Sequence, residues 1–116
     1  MYTHLKMYSL TLTYKPINIL LLQLGILLGM EDVGWTEDTT LVTMETEGSN
    51  CFNEALKSRK IVTLEAIKSI AKSLGALSVS TRLFEMSQDS KFKIKSQTVT
   101  DQEALDSCLN FARNHR

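Results

Sequence analysis

Apolar and polar positions change in blocks along this chain, and the blocks predict alternating strands and helices. Residues 41–44 (Leu-Val-Thr-Met) form a short apolar run, which is typical of a strand buried on both faces. Residues 50–59 have helical periodicity, with Phe52, Ala55 and Leu56 on the inner side. Residues 61–64 are again mostly apolar and predict a strand or an extended segment.

The pattern continues with two more predicted helices and a predicted strand. The apolar face of the first helix consists of Ala66, Ile67, Ile70, Ala71 and Leu74. We expect this helix to end at Gly75. A second short helix is indicated by Val79, Leu83, Phe84 and Met86. Phe92 and Ile94 then alternate with lysines, which predicts a strand with one solvated face.

The last predicted helix has a clear start signal. Thr100 and Glu103 have the spacing of a capping box, in which each side chain binds the backbone of the other. The apolar face that this helix is expected to bury consists of Ala104, Leu105, Cys108, Leu109 and Ala112. Strands that alternate with helices predict an α/β fold with a mainly parallel sheet.

The first part of the chain follows a different pattern. Lys15-Pro16 interrupts any early element, and residues 17–30 are almost continuously apolar. This run is shorter than the roughly 20 residues of a membrane span, and no small-x-small cleavage site of a signal peptide follows it. The run therefore favours a buried helix, ending near Gly34 and Trp35, over a membrane or secreted protein.

Charge and reactive residues exclude several classes of function. Lys plus Arg and Asp plus Glu number 13 each, so no basic surface predicts nucleic-acid binding. Cys51 and Cys108 lie far apart and indicate reduced, cytosolic thiols in the core. His4 and His115 lie at opposite ends, which leaves no Cys/His zinc pattern and no Ser-His or Cys-His pair.

The best candidate for chemistry among the individual residues is a carboxylate at a strand end. Glu45 and Glu47 follow the run 41–44, and ligands of parallel sheets bind beyond the carboxyl ends of the strands. We interpret Glu47 as a solvated residue, whereas Glu45 fits either a ligand contact or a solvated strand exit. The five glycines are isolated, so no glycine-rich phosphate loop is formed.

Five short segments, taken together, resemble one enzyme family. They are residues 25–29, 33–35, 44–48, 73–75 and 101–104, which read GILLG, VGW, METEG, SLG and DQEA. They resemble the pyridoxal-phosphate (PLP)-dependent L-serine/L-threonine dehydratases, and more closely the animal serine dehydratase (L-serine ammonia-lyase) branch. The resemblance covers residues 25–116, and we find none in residues 1–24. It implies part of the large cofactor domain of a fold-type II PLP enzyme, with an incomplete, open, mainly parallel sheet.

The resemblance implies an activity and a set of site residues. The reaction is a PLP-dependent β-elimination that converts L-serine or L-threonine to a 2-oxo acid and ammonia. By the same resemblance, Glu45 and Ser73 lie beside the cofactor. A monovalent cation is held by Glu45 and by the backbone carbonyls of Ser49, Leu74 and Ala76.

The family's reactive groups have no counterpart in this sequence. The lysine loop that forms the Schiff base and the Asn loop beside the ring belong upstream of the matched residues, and the segment that meets the pyridine nitrogen belongs downstream. Residues 18–21 (Asn-Ile-Leu-Leu) take the place of the tetraglycine phosphate loop. We therefore expect a cytoplasmic, truncated or alternatively spliced fragment that is inactive alone, with residues 1–24 arising from a gene-model error.

Two alternatives remain open. The chain fits a non-enzymatic interaction partner that associates with a full-length dehydratase subunit. A secreted or membrane-tethered protein, based on residues 17–30, ranks below it.

Overall fold

The computed structural model describes residues 19–115, and the break predicted at Lys15-Pro16 lies outside them. The helices and strands are α1 (Ile19–Asp32), β1 (Thr40–Thr46), α2 (Cys51–Ser58), α3 (Thr81–Gln88), β2 (Lys93–Val99) and α4 (Asp101–Asn114). One turn of 3₁₀ helix, Lys72–Leu74, precedes α3. Within the described residues, β1 and β2 form a two-stranded parallel sheet, from Thr40 opposite Lys93 to Thr46 opposite Val99. The predicted α/β fold with parallel strands is confirmed.

The hydrophobic core lies where α1, α2 and α3 meet the sheet. Its buried members are Leu27, Met30, Cys51, Phe52, Ala55, Val79, Leu83 and Phe92. The end of α1 near Gly34 is confirmed, since Gly34 has a φ of 72° and the Trp35 N–H donates to the carbonyl of Met30 at 2.8 Å. The predicted helix α2 is also confirmed, with Phe52 and Ala55 fully buried.

The sheet is covered differently on its two faces. Leu41, Thr43 and Glu45 share the face that α2 covers, and Thr43 is the buried residue of β1. Met44 points to the opposite face and is 53% exposed. The prediction that residues 41–44 are buried on both faces is therefore wrong, because the described helices shield one face of β1. The solvated face of β2 is confirmed, with Lys93 and Lys95 exposed.

The segment between α2 and α3 contradicts the sequence prediction. Residues 61–64 are extended, as expected, with a bridge between Thr63 and Ser78. The helix predicted over residues 66–74 is wrong, apart from the short 3₁₀ turn. The backbone N–H groups of Lys68 and Ile70 donate to the Gly48 carbonyl and the Asp101 carboxylate, so they are not available for helical hydrogen bonds. Gly75 ends only the 3₁₀ turn, and it does so in an extended conformation, not in the left-handed one of a glycine that stops an α-helix.

The last helix starts as predicted but is not buried as predicted. The Glu103 N–H donates to Thr100 Oγ1 at 3.1 Å, and the Thr100 N–H donates to Glu103 Oε2 at 2.8 Å, which confirms the capping box. The expected burial is wrong: Ala104 is half-buried, and Leu105, Cys108, Leu109 and Ala112 are exposed. No residue of α4 is buried, because no other described element packs along it. Cys108 is therefore not a core residue, whereas Cys51 is.

Candidate functional site

Glu45 binds the start of α2. Its Oε1 accepts a hydrogen bond from the Phe52 N–H at 3.2 Å, and its Oε2 accepts one from the Asn53 N–H at 2.7 Å. Asn50, at the N-cap position, makes no side-chain capping bond, so the Glu45 carboxylate satisfies these first-turn donors in its place. Burial raises the pKa of Glu45, and the two backbone hydrogen bonds partly offset that rise. The side chain is thus a structural cap as well as a candidate ligand.

Asn53 ties the same helix to the second strand. It is buried, and its Nδ2 donates to Ser96 Oγ on β2 at 3.0 Å. Its Oδ1 is buried without a hydrogen-bond partner. Asn53 was not predicted as a functional residue from the sequence. Its position could have been noticed there, because it is a polar residue on the inner side of a predicted helix.

The loop after α2 folds back onto the carboxyl end of β1. Ser49 is buried, and a Cβ added to Gly75 would lie 2.4 Å from its Oγ. The backbone around Gly75 therefore touches Ser49, which brings the predicted cation ligands Leu74 and Ala76 to the same place. Glu45 lies at the carboxyl end of β1, where its carboxylate binds α2, so the observed contact joins Ser49 to the loop but does not include Glu45.

Ser73, the second predicted cofactor contact, lies in the 3₁₀ turn with an exposed side chain. Two surface cavities of the described residues are lined by neither Ser73 nor Glu45. The cavity of about 510 Å³ lies near the amino ends of the strands, beside Lys91 and Lys93. The cavity of about 290 Å³ lies beside Gly48 and Lys68.

A polar network at the carboxyl edge of the sheet was missed from sequence. Thr46 Oγ1 donates to Ser69 Oγ at 2.7 Å, and Ser69 Oγ donates to Asp101 Oδ1 at 2.6 Å. The Ile70 N–H donates to Asp101 Oδ2 at 3.0 Å, and the Ala71 N–H donates to Ser69 Oγ at 3.0 Å. Ser69 is buried. The network joins β1, the loop and the first turn of α4, three segments that lie far apart in sequence.

The glycines of the described residues do not form a phosphate cradle for PLP. A phosphate cradle needs backbone N–H groups that face open space. The space beside Gly48 is taken by the backbone of Lys68, 3.1 Å from an added Cβ, and the space beside Gly75 is taken by Ser49 and Ile67. Gly25 and Gly29 lie within α1 and Gly34 follows its end, so these three glycines do not form a phosphate-binding loop.

The structure also bears on a metal site and on a membrane-spanning helix. Within residues 19–115, no three His, Cys, Asp or Glu side chains are grouped so that they could hold a metal ion. This leaves the predicted cation set, with one carboxylate and three backbone carbonyls, as a prediction. No helix in the described part of the chain is long and apolar enough to cross a membrane.

No family model matches the chain, whereas the individual known proteins that match it agree with one another. A serine dehydratase-like protein of Homo sapiens is 43% identical over 92 residues, which cover 79% of this chain and 27% of that protein. An L-serine dehydratase/L-threonine deaminase of Mus musculus is 35% identical over 112 residues, covering 91% of this chain and 33% of that protein.

The fold agrees with these sequence matches. A crystal structure of a fungal L-serine ammonia-lyase from Rhizomucor miehei superimposes with a TM-score of 0.72 at 29% identity. The superposition covers 79% of this chain and 28% of the fungal one. This chain therefore has the fold of part of an L-serine ammonia-lyase, and it belongs to the serine dehydratase family over the matched stretch.

The matched relatives are much longer than this chain. The chain spans about a third or less of the length of the curated relatives it matches. The alignment to the mouse enzyme covers 91% of the chain and therefore extends into residues 1–24, beyond the stretch in which the sequence analysis found a resemblance. The domain boundary at Gly25 stays a prediction. The assignments of Glu45, Ser49, Ser73, Leu74 and Ala76 to a cofactor or cation also stay predictions.

Proposed function

We propose that this chain is part of the cofactor domain of a cytoplasmic L-serine/L-threonine ammonia-lyase and that the 116 residues alone are catalytically inactive. The observation that carries the proposal is the extent of the fold match, which covers 79% of this chain but 28% of the fungal lyase. The implied reaction is the PLP-dependent elimination of the α-hydrogen and the β-hydroxyl as water, after which the released enamine is hydrolysed to a 2-oxo acid and ammonia. PLP would supply the electron sink for that reaction.

The carboxyl end of β1 is the part of this chain that we assign to the active site. Glu45 and Ser73 would lie beside the cofactor, and Glu45 would hold a monovalent cation with the carbonyls of Ser49, Leu74 and Ala76. The contact between Ser49 and Gly75 supports this grouping. Each Glu45 oxygen accepts one hydrogen bond from α2 and retains a free lone pair for a further partner.

The inactivity of the isolated chain follows from what the described residues lack. The close approaches at Gly48 and Gly75 are filled by the chain's own atoms, which leaves no phosphate cradle there. The sequence around Lys57, Lys60, Lys68 and Lys72 does not match the context of the family's Schiff-base lysine. Binding energy for the cofactor must therefore come from segments other than these.

A spectroscopic titration tests this proposal. Purified protein is mixed with PLP, scanned for the imine band near ~420 nm and then supplied with L-serine in a pyruvate assay. We expect no saturable imine and no pyruvate. Lys68→Arg and Lys72→Arg are the control variants, because they show whether any weak imine comes from the loop. A saturable imine with turnover would contradict the proposal.

A second candidate function is association with a full-length dehydratase subunit. The observation in its favour is a set of large apolar side chains that the described residues leave exposed. On the sheet and α4 these are Met44, Leu105, Leu109 and Phe111. Such side chains are typical of surfaces that another chain or segment covers.

Co-elution with a purified full-length serine dehydratase tests the second function. We expect the two chains to elute together in size-exclusion chromatography, and the double variant Leu105→Glu/Leu109→Glu to elute separately. The control is Asp106→Asn, which lies on the same helix and changes a charge without altering its apolar side chains. Separate elution of the unmodified chain would exclude this function.

A further inference from the structure

The loop between α2 and α3 is long and contains little regular structure, yet it is attached to the sheet at several points. The Leu64 N–H donates to the Leu77 carbonyl at 2.7 Å, which closes the loop at its base. Nearer the tip, the Lys68 N–H donates to the Gly48 carbonyl at 2.9 Å. Gly75 then packs against Ser49. The backbone of the loop is thus held against the residues that follow β1.

The attachment that depends on side chains lies between these points. Ser69 accepts from Thr46 and from the Ala71 N–H and donates to Asp101, so its hydroxyl has three partners. Asp101 uses both carboxylate oxygens, one for the Ser69 hydroxyl and one for the Ile70 N–H. Hydrogen bonds to a carboxylate are stronger than those between neutral groups. Asp101 is therefore the charged centre of this attachment.

The loop is attached on both sides of two predicted site residues. Ala71 is fixed by Ser69, and Gly75 is fixed by Ser49, whereas Ser73 and Leu74 lie between them. Asp101 stands at the first turn of α4, directly after β2, so it belongs to a different strand–helix junction from Glu45. The carboxyl ends of both strands thus contribute to the position of one loop.

We propose that Asp101 is a positioning residue: through Ser69 and the Ile70 amide it fixes residues 69–76 at the carboxyl end of β1, beside Thr46 and Ser49. This inference rests on the proposed function for the meaning of that position, since Ser73, Leu74 and Ala76 are the residues assigned to cofactor and cation. The position of the loop itself rests on the hydrogen bonds alone.

Amide hydrogen exchange measured by NMR on the full 116-residue chain tests the positioning. In Asp101→Asn, one of the two acceptor oxygens is replaced by an NH₂ donor, so the Ser69 hydroxyl and the Ile70 N–H no longer each have their own acceptor. We expect exchange at Ile70 and Ala71 to become at least tenfold faster, with the amides of β1 and β2 unchanged. Ser69→Ala removes the acceptor of the Ala71 N–H and is expected to speed exchange at Ala71, whereas the Ile70 N–H retains its bond to Asp101.

The matched control is Glu103→Gln. It removes an equal charge from the same first turn of α4, but Glu103 contacts Thr100 and not the loop. Unchanged exchange at residues 70–71 in Asp101→Asn would overturn the proposal. An equal increase in Glu103→Gln would also overturn it, because the effect would then come from the helix and not from the contact.

A second readout separates this proposal from the proposed function. Chemical shifts of Leu74, Gly75 and Ala76 are followed while potassium chloride replaces choline chloride at constant ionic strength. We expect a saturable potassium response in the unmodified chain and in Glu103→Gln, and its loss in Asp101→Asn. An equal response in Asp101→Asn would overturn the positioning role. No response in any chain would reject the cation site, whereas the exchange result would still decide the position of the loop.

Discussion

Helices α2 and α4 each follow a strand of the same parallel sheet, yet they are held in different ways. In α2, Cys51, Phe52, Asn53 and Ala55 are buried, and the helix packs on β2. In α4, which is longer, no residue is buried. A helix of 14 residues is marginal in isolation, so α4 depends on its cap and on the Asp101 contacts. The difference divides the described structure into two parts. The packed half consists of the core cluster and the helices that bury it, and the exposed half consists of α4 and the sheet face that carries Met44.

The comparison also explains how a chain that spans a third or less of its relatives' length can have a defined core. The core cluster comes from α1, α2 and α3 and from Val79 and Phe92, which precede α3 and β2. The sheet face that carries Met44 and the helix α4 lie outside this core. We therefore expect substitutions in the packed half to lower the free energy of unfolding more than substitutions in the exposed half, and to affect more of the structure.

The largest difference is expected for a pair of phenylalanines. Phe52 of α2 is fully buried, whereas Phe111 of α4 is 67% exposed. Phe52→Ala should lower the free energy of unfolding by about 3–5 kcal/mol, because it leaves a cavity in the core. Phe111→Ala should change it by less than about 0.5 kcal/mol. Urea unfolding followed by circular dichroism measures both, and similar losses would contradict the division into two halves.

The caps of the two helices provide the next test. Glu45→Ala leaves the Phe52 and Asn53 N–H groups at the start of α2 without their acceptor, which should cost about 1–3 kcal/mol of the free energy of unfolding. Thr100→Ala should cost about 1 kcal/mol, confined to α4. Amide exchange distinguishes the two outcomes. A loss that spreads through the core in Thr100→Ala would show that α4 is coupled to the packed half.

The contribution of the Glu45 cap to the free energy of unfolding is expected to fall as pH rises. Burial raises the pKa of Glu45, so the folded protein retains this proton at pH values where the unfolded chain has released it. The contribution of Glu45 to the free energy of unfolding is therefore complete below the unfolded pKa of about 4.3 and declines as pH rises through the folded value. In urea unfolding between pH 4 and 7, Glu45→Gln should lack this decline. A parallel decline in the variant would assign it to another group.

Local signals were sufficient to predict several elements from sequence. Thr100 and Glu103 define the start of α4 by a contact within one helical turn. The alternation of Ile94 with lysines predicted β2, because neighbouring side chains of a strand point to opposite faces. Each of these features depends on residues that are close together in the chain.

The wrong predictions depend on partners that are distant in sequence. The apolar face of residues 66–74 matched a helix, but Gly48 and Asp101 bind the Lys68 and Ile70 amides. The apolar face of α4 also matched a buried helix, but periodicity does not show whether a covering element exists. For Glu45, the strand end was predicted, while its bonds to α2 were not. The missing side-chain cap at Asn50 becomes visible in the structure alone.

The smallest effect on stability, and the sharpest contrast between the halves, is expected for the two cysteines. Cys51 of α2 is 1% exposed, and burial raises its pKa to about 11, whereas Cys108 of α4 is exposed. The thiolate is the reactive form, so Cys51 should scarcely react with Ellman's reagent at pH 8 in the folded protein. One thiol per chain should therefore be labelled rapidly, and Cys108→Ser should abolish that phase without a measurable loss of stability. Labelling of two thiols at similar rates would mean that α2 opens as readily as α4, and the packed half would then be no more protected than the exposed one.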